Sequence, residues 1–244
     1  MHVIKLNAIG STNTFLKDLV LKGTVENHTV VTAESQYKGR GQVGTEWESE
    51  AGKNLIVSVF VKHDSFFLED SVYLNYAISL AIYEILKRYK LPKLSVKWPN
   101  DILSDSRKIS GVLIENTISF SKIKHTIIGV GINVNQEVFS KKLNKVTSIK
   151  NSIGEETDRD LLLQAIVYQI KNEIALCVPE NFLMLKDRYL SVLYKYLVPT
   201  MFQKKDGTVF MGKIIGVSDI GDLKVELDDE SIQFFGLKEI KTLR

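Results

Sequence analysis

The sequence predicts an α+β fold, with a main domain of mixed strands and helices followed by a small all-β module. Three observations carry that prediction. Val- and Ile-rich runs at residues 55–61 and 123–132 read as strands. Helical apolar spacing at residues 68–89 (Val72, Leu74, Ala77, Ile78, Ala81, Ile82, Ile85, Leu86) and 158–174 (Leu162, Ala165, Ile166, Ile170, Ile174) places helices among them. From Val198 onward, short strand-like runs are broken at close intervals by Asp206-Gly207, Gly221-Asp222 and Asp228-Asp229, the signature of a small β-barrel.

In chain order, residues 2–6 read as a strand, and Ser11-Thr12-Asn13 supplies cap residues for a helix carrying Phe15, Leu16, Leu19 and Val20. A β-branched run at 28–33 leads into a polar, glycine-bearing stretch up to Asn54, and then into the 55–61 strand. The 68–89 helix stops ahead of Pro92. Residues 94–98, 111–116 and 123–132 form three more strands, with residues 102–106 as a short connection. Asp158 caps the next helix, and a further helix follows from about Pro179 to Tyr194. The domain boundary falls at 196/197, giving domains 1–196 and 197–244.

The bulk numbers exclude several classes. With 244 residues, 44% hydrophobic and 25% charged, the chain is an ordinary globular composition. Its 32 basic and 29 acidic residues leave a net charge of +3, too balanced for an extended nucleic-acid surface. One cysteine, Cys177, permits no internal disulfide and reads as a small apolar packing residue. No apolar run approaches the ~20 residues that span a bilayer, and a cytoplasmic, membrane-independent location is expected. His63 and His125 lack ligand spacing, so no structural metal is expected.

Gly39-Arg40-Gly41-Gln42-Val43-Gly44 matches the G-x-G-x-x-G pattern, but the residues after it run to another strand rather than opening a helix. That context argues against a dinucleotide fold. Glycine loops between strands can still bind anions through exposed backbone N–H groups, and Arg40 adds a planar cation. A surface hairpin with a solvated Arg40 is the plain alternative. A second constellation, Lys97-Trp98-Pro99-Asn100-Asp101 and Arg107-Lys108-Ile109-Ser110-Gly111, brings cations and a carboxylate to two strand ends. Such a set suits a Mg²⁺–triphosphate substrate, or is a charged hairpin with an ordinary salt bridge. Asn133, in Gly129-Val130-Gly131-Ile132-Asn133, is either a further ligand for metal or phosphate or a residue that starts a turn.

The ordered set of S-T-N before the first helix, Gln36-x-x-Gly39-Arg40-Gly41 with Trp47, K-W-P-N-D followed by R-K-x-x-G, and G-x-G-I-N resembles the biotin protein ligase family. The segment Gly236-Leu237-Lys238-Glu239-Ile240 is similar to the closing segment of that family's barrel, so the likeness spans almost the whole chain. It implies a mixed-sheet catalytic domain like that of class II aminoacyl-tRNA synthetases, with an SH3-like barrel behind it. The implied reaction joins biotin to a lysine of a carboxylase's biotin carboxyl carrier protein. Biotin and ATP with Mg²⁺ are substrates, biotinyl-5′-AMP is the intermediate, and no prosthetic group is held.

By the same resemblance, Ser11, Thr12, Asn13 and Gln36 face the biotin rings, and Gly39, Arg40, Gly41 and Gln42 belong to the loop that closes over biotin and adenylate. Trp47 packs on the adenine, Lys108 meets the biotin carboxylate and α-phosphate, and Gly111 allows close backbone approach. Lys97, Asn100, Asp101 and Asn133 serve the phosphates, with Asp101 and Asn133 as Mg²⁺ ligands. Lys108, Arg40 and Asp101 form the catalytic set, Asp101 as base or orienter for the acceptor amine. Two departures stand out. Gln42 and Thr45 replace loop arginines of the best-known family pattern, and only ten residues precede Ser11, so the winged-helix DNA-binding domain of bifunctional members is not expected. A lipoate or octanoate ligase, a catalytically dead binding module and a DNA-binding regulator are the rival readings. Homodimerisation through sheet edges is left open.

Overall fold

The computed structural model describes residues 2–23, 25–143 and 145–243. Strand β1 (Val3–Ile9) leads to helix α1 (Thr12–Leu21), where the Ser11 hydroxyl accepts from the Thr14 N–H as N-cap. Strands β2 (Val30–Gln36) and β3 (Leu55–Phe67) flank the polar stretch, and no helix longer than the single 3₁₀ turn Gln42–Gly44 follows the glycine loop. Helix α2 (Ser71–Lys87) precedes four strands: β4 (Ser95–Lys97), β5 (Asp101–Ser104), β6 (Arg107–Ser119) and β7 (Lys122–Ile132). Helices α3 (Ile149–Ile153), α4 (Arg159–Ala175) and α5 (Phe182–Ser191) complete the main part, with the Asp158 carboxylate capping α4.

The first seven strands form one mixed sheet in the order β1-β2-β3-β7-β6-β5-β4, with β1 and β2 parallel and the other pairs antiparallel. Strand β3 reads as an unbroken apolar run because both faces are covered. Val57, Val59 and Val61 join the main core with α2 and α4, whereas Phe60 packs with Leu16 of α1, Val31 and Ile127 on the other face. Helix α2 is buried nearly all round, as expected for a helix packed between a sheet and the neighbouring helices α4 and α5.

Beyond Pro199 lie β8 (Pro199–Lys204), β9 (Val209–Val217), β10 (Leu223–Leu227), β11 (Ile232–Phe235) and β12 (Ile240–Thr242). They form a five-stranded antiparallel sheet in the order β11-β10-β9-β8-β12. The architecture is α+β with a separate all-β sheet at the C-terminal end. Its buried Phe202, Ile214, Val217 and Val225 belong to the same apolar cluster as the main sheet. The sheet is therefore docked rather than tethered.

Three elements differ from the sequence reading. Residues 102–106 are not a bare connection, because Asp101–Ser104 pairs with both β4 and β6 and buries Ile102 and Leu103. Four residues are too few for alternation to show in a sequence. Strand β3 continues past Val61 through the polar Lys62-His63-Asp64-Ser65, with a register shift against β7 that absorbs them. The short helix α3, capped by Ser148, carries too few residues to display a period.

Cys177 is buried and its thiol is pushed up to about 12, mainly by desolvation, so it is no nucleophile at neutral pH. Burial also holds the imidazoles of His63 and His125 below the usual histidine value, with Lys62 adding to the effect on His125. The unfolded chain therefore binds these protons more readily than the folded one. Stability should fall as pH drops below about 6.5, where unfolded histidine titrates. Melting temperatures measured from about pH 7.5 to 5 should decline, and less steeply in His63→Gln; equal slopes would show that this group contributes nothing.

Candidate active site

A cavity of about 500 Å³ opens between the main sheet, the glycine loop and the C-terminal sheet, within the range of ordinary small-molecule sites. Its floor is the face of β6 and β7 at Gly111, Gly129 and Gly131. Gly111 and Gly131 sit opposite each other across the two strands, and the Trp47 ring lies on them. A Cβ on Gly131 would come within 2.4 Å of that ring, and one on Gly129 within 2.4 Å of Asn13 Oδ1. Side chains at these strand positions would fill the space that a ligand needs.

One end of the cavity is polar and uncharged. The backbone N–H of Thr12 donates to Gln36 Oε1 at 2.7 Å, and the Thr12 hydroxyl reaches the same atom at 3.1 Å. Ser58 Oγ lies 2.8 Å from Thr12 Oγ1 and 2.5 Å from Asn13 Oδ1, while Asn13 Nδ2 donates to Glu115 Oε2 at 2.8 Å. Ser11, Thr12 and Asn13 are buried because the start of α1 is pressed against β2 and β3. The motif is thus a preset group of donors and acceptors rather than a flexible lead-in.

The other end is charged. Lys108 Nζ sits 2.6 Å from Asp101 Oδ1 and 5.6 Å from the centre of the Trp47 ring. Two backbone bonds tie Lys108 to the neighbouring segment, its N–H to the Lys145 carbonyl and its carbonyl to the Thr147 N–H. The loop arginine is also paired, with Arg40 Nη2 at 2.8 Å from Glu115 Oε2. Two cations of the site are therefore already matched with carboxylates, and an anionic ligand must compete for them. Lys97, Lys238 and Lys241 line the same cavity.

Of the residues singled out from sequence, Ser11, Thr12, Asn13, Gln36, Arg40, Gly41, Gln42, Trp47, Lys97, Asp101, Lys108 and Gly111 meet around this space. Gly39 lies just behind it, its Cα so near the Trp47 carbonyl that a Cβ would come within 2.3 Å. Two of the residues lie outside the cavity wall. Asn100 is buried and donates to Asn75 Oδ1 of α2, and Asn133 is buried and donates to the Thr147 carbonyl. Neither lines the cavity in this structure, and both amide nitrogens are engaged with the protein itself. Asn133 thereby holds the backbone at Thr147, and Asn100 orients the Asn75 amide, which together with Tyr189 donates to the Pro99 carbonyl, while Trp98 Nε1 donates to the Gly221 carbonyl between β9 and β10.

Two polar residues of the site carry no motif in the sequence: Ser58, buried in the apolar strand β3 where a polar group demands a partner, and the half-buried Glu115, where β6 turns from apolar to polar. Phe202, Ile214, Leu223 and Lys241 of the C-terminal sheet also wall the cavity without any sequence signal, beside Leu237 and Lys238 of the segment singled out above. The Trp47 indole N–H is buried without a hydrogen-bond partner, leaving a donor beside the glycine floor.

Known proteins resemble this chain in sequence and in fold. Residues 6–133, more than half of the chain, match the family model described as the biotin/lipoate A/B protein ligase family. The bifunctional ligase/repressor BirA of Bacillus spizizenii is 28% identical over 242 residues, covering 98% of this chain and 72% of that protein. The biotin–[acetyl-CoA-carboxylase] ligase of Paracoccus denitrificans is 32% identical over 106 residues, 43% of each chain. The solved structure of the Aquifex aeolicus biotin protein ligase in complex with biotin and ATP superposes with a TM-score of 0.80 at 25% identity, covering 100% of this chain and 99% of that one.

Proposed function

The chain belongs to the biotin/lipoate A/B protein ligase family, and from that premise we propose that it activates biotin with ATP and joins it to a lysine of a biotin carboxyl carrier protein. The observation that carries this reading is one cavity with a neutral donor–acceptor end at Thr12, Asn13 and Gln36 and a charged end at Lys108 and Asp101. That division suits a ligand with an uncharged cyclic urea at one end and a carboxylate at the other. The biotin ligases among the relatives and solved structures favour biotin over lipoate or octanoate.

In the first step the biotin carboxylate attacks the α-phosphorus of ATP, a new C–O–P bond forms, and pyrophosphate leaves. Two anions must meet, so the chain's task is charge neutralisation and alignment. Lys108 is assigned to the carboxylate and α-phosphate, Lys97 to the outer phosphates, and Arg40 to closing the loop over the adenylate. Magnesium enters with ATP. Among the described residues no group of three His, Cys, Asp or Glu side chains could hold a metal, which suits an ion carried mainly by phosphates and water, with Asp101 as the assigned carboxylate. The metal supplies neutralisation of the triphosphate when bound.

In the second step the acceptor amine attacks the acyl carbon and AMP leaves. A free lysine of pKa ~10.4 is mostly protonated at neutral pH, so the amine needs a proton acceptor or a carboxylate that orients it. Asp101 is assigned both that role and the anchoring of Lys108. Asp101→Asn should slow transfer from preformed biotinyl-adenylate at least ~100-fold and slow adenylation about tenfold by loosening Lys108. Unchanged single-turnover transfer would remove the base role. The near-balanced charge disfavours DNA as a partner, and no single described helix is long and apolar enough to cross a membrane; a cytoplasmic location is part of the proposal. Biotin-dependent exchange of pyrophosphate into ATP, followed by transfer to a carrier domain, tests the whole reading. Exchange stimulated by lipoate and not by biotin would overturn it.

A further inference from the structure

Glu115, in the middle of β6, takes no part in the steps above, yet its carboxylate joins two parts of the site. Oε2 accepts from Asn13 Nδ2 and from Arg40 Nη2, each at 2.8 Å, and Oε1 lies 3.1 Å from the same arginine nitrogen. Its side chain is 27% exposed, against 43% for Arg40, so it lies inside the loop it holds.

A carboxylate can only accept hydrogen bonds, and that fixes the polarity of the neighbouring chain of polar groups. Asn13 must turn its NH₂ toward Glu115, so its Oδ1 faces Ser58 Oγ at 2.5 Å and takes the one Ser58 proton. At the far end the Thr12 N–H, a donor only, holds Gln36 by its Oε1 at 2.7 Å. Both amides are thereby oriented without a ligand, Asn13 through Glu115 and Gln36 through the backbone. The same carboxylate carries the charge that holds Arg40 and with it the glycine loop.

We propose that Glu115 is a positioning residue that couples the neutral, donor–acceptor end of the cavity to closure of the glycine loop. A ligand that orders Asn13 strengthens the Asn13–Glu115 bond, and the ordered carboxylate in turn holds Arg40 and the loop over the activated acid. Among the described residues, the Arg40–Glu115 pair is the salt bridge that ties the side chain of the glycine loop to the main sheet. The inference rests on the biotin-ligase reading and adds a determinant of how long the intermediate is kept.

The test uses Glu115→Gln, Glu115→Asp, Arg40→Ala and the Glu115→Gln/Arg40→Ala double variant of the full chain. Two quantities are read: biotin affinity by calorimetry without ATP, and the rate at which preformed biotinyl-adenylate escapes into solution. Glutamine removes the charge and offers an amide that lets Asn13 flip. Glu115→Gln should therefore release the adenylate about tenfold faster and also weaken biotin alone several-fold. Arg40→Ala should speed adenylate escape and, because coupling between two sites is reciprocal, weaken biotin alone as well, though by less than Glu115→Gln does, since it leaves the Asn13–Glu115 bond in place. The double variant should be no faster than the faster single variant, because both changes break one coupling. Glu115→Asp, which keeps the charge on a shorter arm, should fall between wild type and Glu115→Gln, and it carries the test if the glutamine variant does not fold. Wild-type retention in both Glu115 variants, or multiplying effects in the double variant, overturns the inference. Failure of the unaltered protein to bind biotin would instead overturn the functional reading.

Discussion

Replacing Lys108 by alanine should reduce biotin-dependent pyrophosphate exchange at least ~100-fold, the scale of losing one preorganised charge donor at a transition state. The placement of Lys108 explains why another lysine of the cavity should not take over. Its backbone is pinned on both sides, through the Lys145 carbonyl and the Thr147 N–H, and its amine is steered by Asp101 and the Trp47 ring. The substitution also leaves the Asp101 carboxylate unpaired where a carboxylate and a phosphate are to meet, which adds repulsion to the lost attraction. Adenylation in the Lys108→Ala/Asp101→Asn double variant should therefore be less impaired than the product of the single effects. Biotin affinity in the absence of ATP should change far less than exchange, because the neutral end of the cavity is untouched. Near-normal exchange in Lys108→Ala would sink the assignment.

The residues that could be read from sequence share a physical reason, and so do those that could not. The S-T-N cap, the glycine loop and the K-W-P-N-D block stand out because they break strand or helix periodicity, and a break in a regular pattern is visible one residue at a time. The strands of the main sheet other than β5, and helices α2 and α4, are legible because burial imposes their apolar spacing. What the sequence hid depends on contacts between distant segments. Asn100 and Asn133 look like ligands in a linear motif, but folding turns their amides to Asn75 and the Thr147 carbonyl. Glu115 looks like an outward residue at the end of an apolar strand until α1 and the loop are laid beside it. Of the barrel residues at the cavity, Leu237, Lys238 and Ile240 lie in the one recognisable segment, whereas Phe202, Ile214 and Leu223 carry no motif, since an apolar wall requires only shape, and that follows from how the second sheet docks.

Gly129→Ala carries the other large expected effect, through the opposite end of the site. A Cβ at this position would lie 2.4 Å from Asn13 Oδ1 and 2.9 Å from Asn13 Cγ. Asn13 has nowhere to retreat: it is buried at the start of α1, held by Ser58 on one side and by Glu115 on the other. Either the amide leaves its bonds, or α1 shifts away from β7. Overpacking of this kind costs about 1–3 kcal/mol, which at the site corresponds to roughly a 5- to 150-fold loss of biotin affinity. The loss should appear in calorimetric binding of biotin alone and carry over into the KM for biotin, with kcat at saturating biotin changed much less. Gly131→Ala makes the useful contrast, since its Cβ would meet the Trp47 ring, on the loop rather than on the packed start of α1. There the ring can yield by moving with the loop, so the penalty should fall on ATP-dependent steps and adenylate retention more than on biotin binding. If Gly129→Ala bound biotin as tightly as the unaltered protein, the amide of Asn13 would not be part of the biotin site, and the division of the cavity into a neutral and a charged end would fail with it.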